Sequence, residues 1–249
     1  MIYFCYSKPS SSVLAVMRAL GGHKLPRFDG LDFWIKKQRT CVTDSVIVCW
    51  GTHIPEIEGV RVLNTSINPR DRYKDYVAML RAGLNAISVR LPKEMEHLRA
   101  GNYVPADEDK CLLGETYSPN FWTPKYNFTS EFVVHSFNGR SIKSGVKVPK
   151  EGFEPSSEQE WKPNTNHYHP WIKSSIGGWT VDYDLVVPPA VKTLAHRAVK
   201  ALGLTFGMVT IGESEEYLVI IKVNQAPRCE GSVTDAYVLA ITRWIANVK

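Results

Sequence analysis

Two apolar runs joined by a short polar bend, "FGMVTIG" and "LVIIKVN" within residues 206–224, constrain this chain more than any other feature. Their β-branched content and the bend between them predict an antiparallel hairpin. Strand side chains alternate between faces, so Phe206, Met208 and Thr210 share one face of the first strand. On the same basis Leu218, Ile220, Lys222 and Asn224 share one face of the second. The bend around Ser214 to Tyr217 leaves two registers, with Thr210 opposite either Lys222 or Ile220. Both gather Thr210, Lys222 and Asn224 at the end of a strand otherwise built for burial. Such a trio points into a site or a crevice. The plainer alternative is that Lys222 reaches solvent from a strand end.

The flanking sequence supplies more sheet and several helices. Asn138-Gly139 between "SEFVVHSF" and "RSIKSGVKV" is a second hairpin signal. At the front, strand "IYFCYS", a helix capped by serines and closed at Gly21-Gly22, and strands "SVIVCWG" (45–51) and "GVRVLN" (59–64) predict a small α/β layer. The segment "NPRDRYKDYVAMLRAGLNAISV" reads as a helix with apolar positions Tyr76, Met79 and Leu80, then a short strand. Residues 92–128 look irregular, and the polar, proline-rich 149–170 reads as a mobile loop. A strand in "GGWTVDYD", a proline-initiated helix in "PPAVKTLAHRAVKALGL" and a last helix in "TDAYVLAITRWIANV" complete the order. There is no internal repeat, and no GxGxxG follows the first strand, which argues against a dinucleotide site there.

At 249 residues with 44% hydrophobic content the chain can bury a core without covalent staples. No apolar stretch approaches the ~20 residues needed to cross a bilayer, so no membrane partner is expected, and "MIYFCY" reads as a strand, not a leader. Five cysteines, an odd number without CxxC spacing, suggest reduced thiols and a cytoplasmic setting, the host cytoplasm if the protein is viral. The net charge of +5 permits an anionic ligand. The basic clusters "WIKKQR" and "NPRDRYK" are short and interspersed, so they read as solvated faces and nucleic acid is not an expected partner.

The stretch "AVKALGLTFGMVTIGESEEYLVIIKVNQAPRCEG" resembles the C-terminal signature of ATP-grasp proteins, in particular a group often encoded by bacteriophages. The resemblance extends through "EFVVHSFNGRSIKSGVKVP", "HPWIKSSIGGW", "VIVCWG" and "LNTSINPRDRYKDYVAMLRAGL", and so covers most of the chain. It implies an α+β fold of ATP-grasp type: a pre-ATP-grasp-like α/β domain over 1–66, a reduced N-subdomain over 67–128 and a C-subdomain over 129–249. Family members join a carboxylate to an amine or thiol through an acyl-phosphate, using ATP and magnesium.

Several departures from the family pattern fall on one ligand. The resemblance places Thr210 where the family has an aspartate, Lys222 where it has a glutamate, and Asn224 on a matching asparagine. Magnesium wants anionic oxygens, which neither a threonine nor a lysine supplies. Val133 replaces a phosphate-contacting arginine, and only "CLLGETYSPN" after Lys110 stands where a glycine-rich phosphate cover belongs. These changes imply a degenerate ATP-grasp protein that retains at most binding of ATP, ADP or another anion, with magnesium disfavoured and Lys222 standing in for the metal. Two alternatives remain. One is an active carboxylate ligase using Asp182, Asp184 or Glu230; the other is a phage-type scaffold or inhibitor that meets a host protein through Trp161, Tyr168 and Trp171.

The other candidates each carry two readings. Lys147 and His135 either face the cleft or cap the sheet, and Lys173 is a candidate phosphate contact. Arg228, where the family has glycine, either binds an anion or fills the pocket. The histidines of "HYH" (167–169) lack a third ligand at a recognisable spacing. Cys229 has no evident activating base and reads as a structural thiol.

Overall fold

The computed structural model describes residues 1–6, 9–25, 45–52, 54, 60–64, 72–87, 103–105, 122–124, 126–157, 162, 165–170 and 172–247. The chain begins with a parallel four-stranded sheet, ordered β2-β1-β3-β4, from Ile2–Cys5 (β1), His23–Lys24 (β2), Val46–Cys49 (β3) and Arg61–Leu63 (β4). Helix α1 (Ser11–Ala19) connects β1 to β2, and the Ser10 hydroxyl caps it by accepting from the Val13 N–H at 3.3 Å. All four β3 residues are buried, as a parallel strand covered on both faces requires.

Helix α2 spans Arg72–Arg81, and a short antiparallel pair, β5 (Tyr103–Pro105) with β6 (Trp122–Pro124), lies within the segment expected to be irregular. The rest builds a five-stranded antiparallel sheet. Its strands are β7 (Ser130–Phe137), β8 (Arg140–Pro149), β11 (Trp179–Asp182), β12 (Phe206–Glu213) and β13 (Leu218–Asn224), ordered β11-β8-β7-β12-β13. Asn138 and Gly139 hold φ of 46° and 72° between β7 and β8, the left-handed pair that a two-residue hairpin turn demands. The loop expected over 149–170 contains structure instead. Glu154–Pro155 (β9) and His167–Tyr168 (β10) pair in parallel, and Tyr168 meets Trp179 edge-on at 5.1 Å. The aromatic contact back to β11 gives a polar, proline-rich segment an anchor that its composition conceals.

Helix α3 (Pro189–Ala201) covers one face of this sheet, burying Val191, Ala195, Ala198 and Val199 in one core with Val134, Val209 and Ile211. Tyr76 and Met79 of α2 join the same core. Leu80, expected beside them, is 45% exposed; one residue past Met79 the helix has turned ~100°, away from the sheet.

On the opposite face, the Phe137–Phe206 end of the sheet packs against the N-terminal sheet and helix α4 (Ser232–Asn247). Trp50 lies 5.2 Å from Phe206 and 5.3 Å from Tyr237, ring centre to ring centre. Asn64, fully buried at the end of β4, completes the junction. Its Oδ1 accepts from the backbone N–H groups of Thr205 and Phe206, both at 2.8 Å, and its Nδ2 donates to the Phe206 carbonyl at 3.0 Å. Its φ of 60° is one that asparagine tolerates better than most residues.

Candidate functional site

The face of the central sheet opposite α3 is read most simply as rows across strands. One row sets Val133 on β7, Thr210 on β12 and Lys222 on β13 side by side; the next sets His135, Met208 and Asn224. The hairpin therefore adopts the register with Thr210 opposite Lys222. A bulge interrupts it directly after. Ile211 pairs with Ile220 and Gly212 with Val219, leaving Ile221 as an extra residue. The alternation is broken there, so Leu218 and Ile220 do not share the face of Lys222 and Asn224, as unbroken periodicity would have it. Two neighbours hold the bulge: the Tyr76 hydroxyl donates to the Ile221 carbonyl at 2.7 Å, and Ile220 exchanges backbone hydrogen bonds with Asn85 and Ile87.

Thr210 is 1% exposed, and its hydroxyl has no hydrogen-bond partner among the described residues. A buried polar group in that condition costs about 1–3 kcal/mol, and here it sits directly across from a half-buried ammonium. The Asn224 side-chain Oδ1 accepts from the Ala226 N–H at 2.9 Å, so it braces the proline turn that follows. Thr210, Lys222 and Asn224 together offer hydroxyl, ammonium and amide donors and no anionic oxygen. That set does not fit magnesium. It suits an anion.

Farther along the same face, Lys147 forms an ion pair with Glu131 at 2.6 Å, both side chains largely buried. Glu131 is the register partner of Gly212, where the ring of Phe128 lies so close that a Cβ would come within 2.5 Å of it. Lys173 donates to the Phe128 carbonyl at 2.9 Å and lies 5.2 Å above the Trp179 ring. Burial pulls its pKa down, Glu131 works to raise it, and Lys147 lowers it again. Lys147 and Lys173 thus bracket one carboxylate, a pairing that appears only once β7, β8 and the 169–178 segment are folded together.

His135 belongs to the second row but is sealed off. It is fully buried, with Nδ1 3.3 Å from the Tyr237 hydroxyl and Nε2 3.0 Å from that of Tyr183. Burial pushes its pKa down to about 4. Neither tyrosine is near His135 in sequence, so no local signal could have revealed the cluster.

The remaining candidates fall apart from this arrangement. Arg228 and Glu230 pair at 2.9 Å with side chains 69% and 65% exposed, so Arg228 lies in solvent and fills no pocket. Asp182 accepts from the Asp184 N–H at 2.9 Å within its own turn. Among the described residues no three His, Cys, Asp or Glu side chains gather as a metal group. His169 is buried and its Nδ1 accepts from the Ile172 N–H at 3.0 Å. Cys229 is buried, its thiol pushed up to about 12, while its backbone N–H donates to the Ser12 hydroxyl at 2.8 Å. Trp161, Trp171, Lys110 and "CLLGETYSPN" lie outside the described residues.

No family model matches the sequence, and no curated protein does. Solved structures do match. The ATP-grasp ligase PsnB, complexed with a phosphomimetic variant of its minimal precursor, Mg and ADP, is similar with a TM-score of 0.61 at 12% identity, covering 98% of both chains. The D-alanine–D-alanine ligase of Bacillus anthracis, complexed with ATP, gives 0.63 at 11% identity, covering 98% of this chain and 95% of the ligase. The macrocyclase MdnC of Microcystis aeruginosa, bound with precursor peptide MdnA, gives 0.57 at 10% identity, covering 98% and 100%. The fold is that of the ATP-grasp ligases.

Proposed function

We propose that this chain is an ATP-grasp-fold protein that binds ATP, ADP or a similar anion without magnesium and has lost metal-dependent ligation. The carrying observation is the row Val133–Thr210–Lys222: an ammonium faces a buried, unpaired hydroxyl, with no carboxylate among the three. Thr210, Lys222 and Asn224 hold the anionic oxygens; along the same face Glu131 neutralises Lys147, so the added positive charge comes from Lys173. Arg228 contributes least, because Glu230 already neutralises it. A bound phosphate would restore the charge that burial disfavours on Lys173. In this reading residues 1–66, 67–128 and 129–249 keep the roles of a leading α/β domain and two nucleotide-clasping subdomains. Phosphoryl transfer needs charge neutralisation together with positioning of the reacting oxygens; one lysine supplies part of the first only.

Calorimetric titration of ATP and ADP, with magnesium and again with EDTA, tests this. The expected affinities in the two buffers agree within about twofold, a difference of less than ~0.5 kcal/mol. The double substitution Thr210→Asp with Lys222→Glu should make binding magnesium-dependent. Binding by the unaltered protein only in magnesium would restore the ligase reading. Heat in neither buffer would leave a scaffold that uses the fold without its ligand.

A further inference from the structure

The outer helical layer carries charge out of proportion to its size. α3 contains Lys192, Arg197 and Lys200 and no acidic residue. In α2, Arg72, Lys74 and Arg81 stand against Asp75 alone. These two helices hold +2 and +3, which equals the chain's whole formal charge of +5, so everything outside them balances to zero.

Among the described residues no contact accounts for this concentration. Lys74, Arg81, Arg197 and Lys200 are exposed and Lys192 is half-buried, and none of the five forms an ion pair among the described residues. The first turn of a helix favours acidic side chains, yet α3 has none there and places Lys192 in it. Leu80, 45% exposed beside Arg81, adds an apolar contact within the charged surface. Tyr73 and Tyr76 pack toward the core instead of presenting rings for bases to stack on. An apolar foothold among cations suits a peptide better than a nucleic acid.

We propose that the α2–α3 face, on the side of the sheet away from Thr210 and Lys222, docks an acidic peptide segment carrying apolar residues between its carboxylates. The inference is independent of nucleotide binding. The test is fluorescence anisotropy with a labelled twelve-residue peptide of Glu and Asp with Leu at every fourth position. Its comparators are a charge-neutral peptide with the same leucines and a single-stranded oligodeoxythymidylate. The acidic peptide should bind and should weaken at least about tenfold between roughly 50 and 300 mM salt. Arg197→Glu with Lys200→Glu should weaken it by about tenfold or more at low salt, while Arg243→Glu on α4 should leave it unchanged. Lys74→Glu supplies a second reversal on the other helix if the double variant fails to fold. Equal binding of the neutral peptide, tighter binding of the oligonucleotide, no binding of the acidic peptide, or indifference to the charge reversals would each overturn the proposal.

Discussion

His135 shows how a residue that looks chemical in the sequence becomes structural in the fold. "EFVVH" places it two positions from Val133, on the face of the candidate site, but Tyr183 and Tyr237 close over it. Its pKa, about 4 in the folded protein against 6.5 for an ordinary histidine, means that folding favours the neutral ring. Stability from this group is therefore fully present above about pH 6.5 and is lost as pH falls toward 4. The shift corresponds to about 3 kcal/mol at the acid end. His196, also lowered by burial, adds to the trend in the same direction. Melting temperature should fall as pH drops from 6.5 to 4, and His135→Gln, which cannot titrate, should flatten that dependence. An unchanged slope in the variant would assign the acid sensitivity elsewhere.

Strands and helices were legible where periodicity is local, and less so where a distant side chain decides. Spacing leaves two hairpin registers open, of which the fold adopts the one with Thr210 opposite Lys222, whereas the Asn138-Gly139 turn and the burial of Tyr76 and Met79 follow from spacing in the sequence. The bulge at Ile221 does not, because its carbonyl is held by Tyr76, 145 residues away. Nor do the partners of Lys147 and Lys173, which come from two separate segments, Phe128 to Glu131 and Trp179. Tyr76→Phe tests that long-range contact: it deletes the hydrogen bond to the Ile221 carbonyl and keeps the ring in the core. It should cost about 1 kcal/mol and speed amide exchange at Lys222 and Val223. Nucleotide affinity should fall with it, since the strand end bearing Lys222 and Asn224 loses its brace. Exchange at the wild-type rate would show that the Asn85–Ile87 contacts suffice.

Across the whole molecule, the two sheets share one core, and Asn64 joins them by bonding the start of β12 as a neighbouring strand would. Asn64→Ala removes three hydrogen bonds and leaves buried backbone groups at Thr205 and Phe206 unpaired. A cost of about 3 kcal/mol is expected, which for a chain of this size lowers the melting temperature by roughly 6–12 °C. Probes in β3 and β12 should report one common transition, shifted together. Separate transitions would mean that the sheets are stable apart. The core they share also carries a consequence for how the protein is made. Phe4, Val13 and Val16, near the start of the chain, are covered by Val233, Tyr237 and Ile241 of α4, near its end. During synthesis Phe4, Val13 and Val16 leave the ribosome more than two hundred residues before their cover. Their apolar surface must wait, open to chaperones and to neighbouring nascent chains, until α4 has been translated.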